Sequence, residues 1–306
     1  MTLPFIRPED IEHRLNWTAL GDAIIEGHTR PRAQIGDILF ERDRDAMLNR
    51  AAWIDGAGIG VKTANIFPGN VERTPPMPSI HAVFTLFDDK TGEPAALIDG
   101  ILVTKWKTAG DSVLGARLLA RPDSKTMIIV GAGAVADSLI DAYREVFPGL
   151  QTIRVWNRTR ARAEELAKAK GVEVADDLRE ALADADIVAS ATMSTEPVIK
   201  GAWIGPGTHV DLIGAFRPDM READDELIAR AELFVDARET AHDIGELMIP
   251  IASGVITDDH VRADYYDIAS GAYRRSSPDA VTMFKNGGGA HLDLMTALYI
   301  KGVSEA

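Results

Sequence analysis

A short apolar run that ends in a glycine-rich turn constrains the fold of this chain more than any other segment. Four apolar residues, Met127–Val130, lead into Gly-Ala-Gly-Ala-Val-Ala at Gly131–Ala136, and helical periodicity follows as far as Val146. This pattern predicts a buried strand, a tight turn and a helix. A further apolar strand, Thr152–Trp156, comes at the spacing of a βαβ unit. The sequence therefore predicts a parallel, doubly wound sheet.

The turn has the features of a dinucleotide-binding loop. Gly131 permits the tight turn, Gly133 lets the backbone approach a pyrophosphate, and Ala136 replaces the third glycine of G-x-G-x-x-G. The N–H groups at the start of the helix, including those of Ala134 and Val135, would face the phosphates. We therefore predict that Gly131, Gly133, Ala134 and Val135 bind the cofactor. An empty structural turn is the alternative interpretation.

The tip of the second strand bears on which dinucleotide is bound. NAD sites usually place Asp or Glu there to bind the ribose 2′-hydroxyl, but this chain has Asn157, Arg158 and Thr159, with Arg162 close behind. Guanidinium groups and a hydroxyl suit a 2′-phosphate. We predict that these four residues bind NADP(H) in preference to NAD(H). A solvated helix start with Thr159 as its cap is the alternative, and both can hold at once.

Composition excludes several classes of function. The chain has 306 residues, a net charge of −14 and no cysteine. The acidic balance disfavours binding to nucleic acid or to an anionic membrane, and the absence of cysteine excludes disulfides and thiolate ligands. No apolar run reaches the roughly 18 residues of a membrane span, and the spacing of histidines and carboxylates does not resemble a metal site. We expect a cytoplasmic protein that binds no metal.

The order of elements indicates two domains. We predict an amphipathic helix over residues 8–30, a mostly antiparallel sheet over 35–103 with a hairpin turn at Asp88–Gly92, and a helix over 104–120. A β-α alternation follows from 126 to about 280. A final helix, 290–303, is expected to return to the first domain. We therefore predict a discontinuous domain that comprises residues 1–122 and 285–306. A nucleotide-binding domain at 123–284 is inserted into it.

Four motifs around the nucleotide-binding unit resemble one family. They are Gly60–Asn70, Leu86–Pro94, Thr104–Ala109 and Thr282–Gly287, and in this order they are similar to the ornithine cyclodeaminase/µ-crystallin family over essentially the whole chain. The resemblance implies an α/β fold in which a Rossmann-type sheet is inserted into a discontinuous α+β domain for dimerisation and substrate binding. It also implies a homodimer and chemistry at an imine or amine carbon beside a carboxylate.

The resemblance assigns roles to individual residues. Lys62 would face the nicotinamide and bind or protonate the substrate, and Lys107 would hold the substrate carboxylate. The remaining predicted cofactor contacts come from the motifs and from the ends of sheet strands, which line the nucleotide crevice. They are Ser79, Thr108, Thr192, Met193, Ile213, Asn286 and Gly287. For each residue an ordinary structural role is the alternative. Arg32 could be a second carboxylate ligand, but we leave it outside the predicted set.

Three departures from the ornithine cyclodeaminase pattern favour a reductase. Lys107 stands where that enzyme has arginine, Phe216 where it has a proton-transferring aspartate, and Asn157 where it has an acidic residue for NAD. Whether Asp219 or water replaces the missing acid stays open. We predict an NADPH-dependent reductase of cyclic imino acids that yields proline or pipecolate. The alternatives are ornithine cyclodeamination with NAD+ and a non-catalytic, µ-crystallin-like protein that binds NADPH and a small ligand.

Overall fold

The chain divides into two compact units. The structure is a computed structural model that describes residues 3–306. One unit comprises the chain up to Lys107 together with Gly288–Ala306, and the other comprises Thr108–Gly287. The functional domain limits expected at 122/123 and 284/285 stay a prediction.

The strands and helices follow one another in this order. The strands are β1 (Phe5–Ile6), β2 (Gln34–Arg42), β3 (Asp45–Ile54), β4 (Gly58–Ile66), β5 (Ile80–Phe87), β6 (Pro94–Asp99), β7 (Thr126–Val130), β8 (Thr152–Trp156), β9 (Glu173–Val174), β10 (Ile187–Ser190), β11 (His209–Leu212), β12 (Glu232–Val235), β13 (Val261–Ala263) and β14 (Thr282–Lys285). The α-helices are α1 (Pro8–Ile11), α2 (Trp17–Gly27), α3 (Gly100–Leu119), α4 (Ala134–Val146), α5 (Arg160–Lys170), α6 (Leu178–Ala183), α7 (Asp225–Arg230), α8 (Thr240–Asp243), α9 (Gly245–Ala252) and α10 (Ala290–Glu305).

The first unit is built on a mostly antiparallel sheet, as predicted. Its strand order is β1-β6-β5-β4-β3-β2, and only the pairing of β1 with β6 is parallel. The predicted hairpin turn between β5 and β6 is confirmed, because the Asp88 side chain accepts hydrogen bonds from the N–H groups of Lys90 and Thr91. The tight turn between β2 and β3 was not predicted, and it places Asp43 at a φ of 55°.

The continuous helix expected over residues 8–30 is wrong. The structure breaks it into α1, a 3-10 turn at Glu12–Arg14 and α2. Asn16 has an extended backbone, and its side-chain oxygen accepts a hydrogen bond from the N–H of Ala19 at 2.8 Å. An N-cap of this kind begins a new helix at the next residue. The apolar periodicity that runs through the break therefore does not produce one continuous helix.

Helix α10 places polar groups in the core of the first unit. It packs against β3, β4 and α2, and its side chains Leu292, Leu294 and Ile300 are buried there. The strand beneath it has no room for a side chain at Gly60, where a Cβ atom would lie 2.3 Å from the ring of Phe84 on β5 and 3.1 Å from the side chain of Leu294 on α10. His291 and Asp293 of the same helix are also buried, so each needs a specific polar environment.

The second unit contains the predicted doubly wound parallel sheet. Its strand order is β13-β12-β14-β11-β10-β7-β8-β9, with every pairing parallel. The succession β9-β8-β7-β10-β11 is that of a Rossmann fold, and its order reverses between β7 and β10. The sequence predicted neither β13 nor the insertion of β14 between β11 and β12. The α/β fold class is confirmed.

Residues 3–306 contain neither a membrane-spanning helix nor a side-chain cluster suited to a metal ion. None of the helices there is long and apolar enough to cross a membrane. No group of three or more histidine, aspartate or glutamate side chains within that range is arranged to hold a metal ion.

Candidate active site

Lys62 lies in a buried polar cluster of the first unit. It is on β4, directly opposite Arg50 of β3. Its Nζ atom donates a hydrogen bond to Oδ1 of Asp293 at 2.7 Å and a second to the Thr104 hydroxyl at 3.3 Å. The predicted catalytic lysine is therefore fixed by an ion pair and a hydroxyl, and it is not a solvated lysine on a strand edge.

Asp293 supplies the negative charge of this cluster. Its side chain is fully buried, and burial by itself would raise the pKa of the carboxyl group. The positive charges of Lys62, Lys107 and Arg50 outweigh burial, so the pKa of Asp293 is lowered and the group is ionised near neutral pH. The sequence analysis missed this residue. The sequence did contain one sign of its burial: Asp293 stands between two leucines, Leu292 and Leu294, in a predicted helix.

Lys107 and Arg50 converge on one backbone carbonyl. Nζ of Lys107 donates to the carbonyl oxygen of Gly288 at 3.2 Å, and Nη1 of Arg50 donates to the same oxygen at 2.8 Å. On its exposed side Arg50 also pairs with Asp37. The neighbouring Lys105 is engaged elsewhere, since it pairs with Glu12 at 2.6 Å. Lys107 is thus the lysine of this motif that joins the cluster.

Two histidines border the cluster. The rings of His28 and His291 meet edge to face with centroids 5.3 Å apart. Burial lowers the pKa of His291, and the nearby charges of His28, Lys107 and Arg32 lower it further, so His291 is neutral at physiological pH. Arg32 itself is exposed, and no further role is assigned to it.

Ser79, the predicted cofactor-contacting hydroxyl, is half-buried immediately before β5. Its carbonyl oxygen accepts a hydrogen bond from the N–H of Phe67 at 2.7 Å, which fixes the backbone at this position. Its role toward a cofactor stays a prediction.

In the second unit, the turn after β7 has the shape that a pyrophosphate requires. Gly131 has a φ of +118°, and a Cβ atom there would lie 2.6 Å from the carbonyl oxygen of Ala191. At Gly133 a Cβ atom would meet nothing within 4 Å, so the space beside the backbone is open. Gly133 is the N-cap of α4 and forms no side-chain cap, which leaves N–H groups at Ala134 and Val135 for a ligand.

The tip of β8 has two unengaged guanidinium groups. Among residues 3–306, no side-chain hydrogen bond or ion pair involves Arg158 or Arg162, and both are exposed. The intervening Arg160 is held by Asp176 and Glu164. Thr159 is the N-cap of α5, but its side chain makes no capping hydrogen bond.

Asn157 completes this tip. Its Nδ2 atom donates a hydrogen bond to the carbonyl oxygen of Thr159 at 2.9 Å, so its side chain shapes the turn. The helix start, the two free arginines and the free hydroxyl are together suited to a phosphate group. The residues present therefore fit a dinucleotide cofactor, and the preference for a 2′-phosphate stays a prediction.

The ends of β10 and β11 place the next predicted contacts side by side. Thr192 donates from its N–H and from its hydroxyl to Glu222, each at 2.7 Å. Ile213 is buried, and its N–H donates to the carbonyl oxygen of Ser190. Met193 is 73% exposed. Glu222, which organises these loops, was not anticipated from the sequence.

The remaining predicted cofactor contacts, Thr108, Asn286 and Gly287, are held by hydrogen bonds within the second unit. Nδ2 of Asn286 donates to the Thr108 carbonyl oxygen at 3.1 Å and to the Ser112 hydroxyl at 3.0 Å. The N–H of Gly287 donates to Asp236 at 3.1 Å. These bonds give Asn286, Thr108 and Gly287 structural roles, and their contact with a nicotinamide stays a prediction.

No proton donor is found at the place where the cyclodeaminase pattern has aspartate. Phe216 occupies it and is 57% exposed. Asp219 nearby is paired with Arg217 at 3.0 Å, and this hydrogen bond lowers the pKa of Asp219. A carboxyl group with a lowered pKa is a poor acid near neutral pH. Asp219 is therefore not a good substitute for the missing residue.

A buried carboxyl group on strand β11, that of Asp211, predicts a pH-dependent stability. Burial raises the pKa of Asp211 to about 7, although its Oδ2 accepts a hydrogen bond from the Tyr143 hydroxyl. A carboxyl whose folded pKa is raised contributes stability that is complete below its unfolded pKa and is lost as pH rises through about 7. Asp211→Asn keeps an acceptor for Tyr143 and removes the ionisation. In the variant, the fall in unfolding free energy between pH 4 and pH 8 should shrink by about 3 kcal/mol.

The measurement is urea unfolding of both proteins across this pH range. If the wild type and the variant lose the same free energy with rising pH, the assignment to Asp211 is wrong.

Comparison with known proteins decides the family. The family model described as "Ornithine cyclodeaminase/mu-crystallin family" matches residues 14–305. The chain is 52% identical over 306 residues to the Δ1-pyrroline-2-carboxylate reductase of Paracoccus denitrificans, covering 98% of this chain and 96% of that protein. The chain belongs to the ornithine cyclodeaminase/mu-crystallin family. The predicted membership is confirmed.

Solved structures agree with this assignment. The Thermococcus litoralis Δ1-pyrroline-2-carboxylate reductase, in complex with NADH and L-proline, has a TM-score of 0.87 at 29% identity, covering 99% of this chain and 97% of that one. An archaeal alanine dehydrogenase dimer with bound NAD has a TM-score of 0.87 at 26% identity, covering 100% and 96%. The predicted class is confirmed: the chain is an oxidoreductase of this family that uses a nicotinamide cofactor.

Proposed function

We propose that this family member is an NADPH-dependent reductase of cyclic imino acids, which converts Δ1-pyrroline-2-carboxylate or Δ1-piperideine-2-carboxylate to proline or pipecolate. One observation carries the proposal: the buried Lys62 and Lys107 and the half-buried Arg50 surround the buried carboxylate of Asp293. Three cationic groups facing one buried carboxylate suit a small anionic substrate. Δ1-pyrroline-2-carboxylate, the five-membered substrate, appears in the name of the relative that is 52% identical.

The chain's own residues would bind and orient the substrate. Lys62 and Lys107 would hold its carboxylate by charge-assisted hydrogen bonds, and the Thr104 hydroxyl keeps the Lys62 ammonium in place. Lys62 or a bound water would keep the imine nitrogen protonated, which makes the imine carbon electrophilic. When bound, the nicotinamide supplies a hydride to that carbon. The proton and the hydride together account for the two hydrogens added across the C=N bond.

The preference for NADPH rests on the tip of β8. A 2′-phosphate there would meet the free guanidinium groups of Arg158 and Arg162, the hydroxyl of Thr159 and the N-terminal end of α5. An acidic residue that would repel this phosphate and favour NAD is absent from Asn157–Arg162. NAD(H) is the weaker ligand in this account.

We also propose a homodimer in solution. All nine residues of β2 are exposed, although this edge strand carries Ile38, Leu39 and Phe40, each 55–58% exposed. An exposed edge strand with large apolar side chains is a surface that a second chain normally covers. The predicted cytoplasmic location is retained as part of the proposal.

Phe40→Asp tests this interface. A charge in the centre of the apolar strand should shift the protein from dimer to monomer at micromolar concentration, measured by sedimentation velocity. The control is Ile101→Asp, which introduces the same charge at an exposed apolar position outside β2 and should leave the dimer intact. A wild-type protein that sediments as a monomer would contradict the proposal.

A substrate panel separates the competing activities. The protein is offered both cyclic imino acids with NADPH or NADH, and L-ornithine with NAD+. We expect oxidation of NADPH with at least one imino acid and no release of ammonia from ornithine, because Phe216 cannot transfer a proton. Ammonia release without net NADH formation would favour cyclodeamination. NADPH binding without turnover of any imino acid would favour a binding protein.

A further inference from the structure

One buried carboxylate joins the two loops that follow β10 and β11. Glu222 is fully buried in the second unit. Its Oε1 atom accepts hydrogen bonds from the Ser190 hydroxyl and from the N–H and hydroxyl of Thr192, each at 2.7 Å. Its Oε2 atom accepts from the N–H groups of Gly214 at 2.6 Å and Ala215 at 3.3 Å. Five donors thus converge on two oxygens.

These loops lie where an open parallel sheet binds its ligand. Strands β10 and β11 are parallel neighbours, and β10 borders the point where the strand order reverses. Ligands of such sheets bind in the crevice outside the carboxyl ends of the strands. Glu222 therefore fixes the walls of the predicted nucleotide crevice, although the side chain itself is closed off from solvent.

The two loops are in close contact, and a second buried carboxyl group stabilises the backbone at Glu222. A Cβ atom on Gly214 would lie 1.9 Å from the carbonyl oxygen of Thr192, so the two loops can meet this closely only because residue 214 is glycine. The N–H groups of Glu222 and Ala223 donate to the buried carboxyl group of Glu246 at 2.7 and 2.9 Å. The positive charge of the buried Lys285 acts on both acids.

Each of the two loops that Glu222 joins carries a large apolar side chain that is exposed to solvent. Met193 follows Thr192 and is 73% exposed, while Phe216 follows Ala215 and is 57% exposed. Two such side chains at adjacent strand ends offer an apolar surface to a flat ring. The adenosine end of the dinucleotide is assigned to the tip of β8, on the other side of β7 in the strand order. The β10 and β11 loops are therefore left for the nicotinamide half.

We propose that Glu222 is a positioning residue for the nicotinamide half of the cofactor: it holds the two loops so that Met193 and Phe216 contact the nicotinamide ring. The inference rests on the dinucleotide binding of the proposed function, and it is independent of the substrate. The contribution of Glu222 depends on its second anionic oxygen. Glutamine has a single acceptor oxygen, and its amide NH₂ would face donors on one of the two loops.

The test compares two ligands by calorimetry in the absence of substrate. NADPH spans the whole crevice, whereas 2′,5′-ADP carries the adenosine and 2′-phosphate but no nicotinamide. In Glu222→Gln we expect the dissociation constant of NADPH to rise about 30-fold, as for a lost charge-assisted hydrogen bond, while that of 2′,5′-ADP stays near the wild-type value. A purely structural role would weaken both ligands equally.

A second pair of variants keeps the inference testable if Glu222→Gln does not fold. Met193→Ala and Phe216→Ala change exposed side chains, so the fold should tolerate them. Each should weaken NADPH binding and spare 2′,5′-ADP. NADPH binding at the wild-type level in both variants, or an equal loss for both ligands in any variant, would overturn the inference. Failure of the wild type to reduce imino acids would refute the substrate assignment and leave this binding result intact.

Discussion

Lys62→Met should lower kcat/KM for the cyclic imino acid by about 10²- to 10³-fold, the usual effect of removing one partner from a buried charge pair. Methionine preserves the length and apolar stem of lysine but cannot hold the substrate carboxylate or protonate the imine. The nucleotide residues assigned above belong mainly to the second unit, so the affinity for NADPH should stay near the wild-type value. Steady-state kinetics and NADPH titration measure the two quantities separately.

Lys105→Met is the matched control for this experiment. Lys105 lies two residues from Lys107, but its ammonium group is paired with Glu12 and is partly exposed. Its replacement should leave kcat/KM almost unchanged, because exposed pairs contribute little. A loss in Lys105→Met equal to that in Lys62→Met would contradict the assignment of Lys62.

A double-mutant cycle shows whether Asp293 acts through Lys62. Asp293→Asn should lower kcat/KM strongly in the wild-type background, because the Lys62 ammonium loses the carboxylate that lies 2.7 Å away. In the Lys62→Met background the same change should cost much less. Equal losses in both backgrounds would show that Asp293 contributes independently of Lys62.

The paired substitution Arg158→Ala with Arg162→Ala should reverse or abolish the preference for NADPH. Two charge-assisted contacts to a phosphate are lost, so the ratio of kcat/KM with NADPH to that with NADH should fall by about 10²-fold. The value with NADH should change little, because NADH has no 2′-phosphate. The measurement is the kinetics of both cofactors at saturating imino acid.

Arg160→Ala provides the control for the cofactor experiment. Its guanidinium is already held by Glu164 and Asp176, so it has little capacity left for a phosphate. We expect a much smaller change in the NADPH/NADH ratio than in the Arg158 and Arg162 variant. If the wild type uses both cofactors equally, the proposed role of the β8 tip is wrong.

Local sequence patterns predicted most of the fold. The strand, turn and helix around Gly131 were recognised because their determinants lie within a few residues of one another, and the same holds for the Asp88 turn. The break at Asn16 was missed because a single cap overrides apolar periodicity. The place of β14 between β11 and β12 was missed because strand order depends on distant pairing, which local propensity does not encode.

The candidate site was predictable only in part. Lys62 and Lys107 were found through family motifs, but the carboxylate that fixes Lys62 is 231 residues away in sequence. No local pattern links two such positions. Glu222 was missed for a similar reason. A glutamate in a predicted loop is expected to be exposed to solvent unless the hydrogen-bond donors around it are known. Burial and hydrogen bonding reveal these roles, and both depend on the folded chain.

The most direct test of the account is the reaction of the wild-type protein with Δ1-pyrroline-2-carboxylate and NADPH. The absorbance of the reduced nicotinamide and the amount of L-proline are followed in the same sample. We expect one molecule of L-proline for each molecule of NADPH oxidised, and slower turnover with NADH. No cofactor oxidation with either NADPH or NADH would contradict the account.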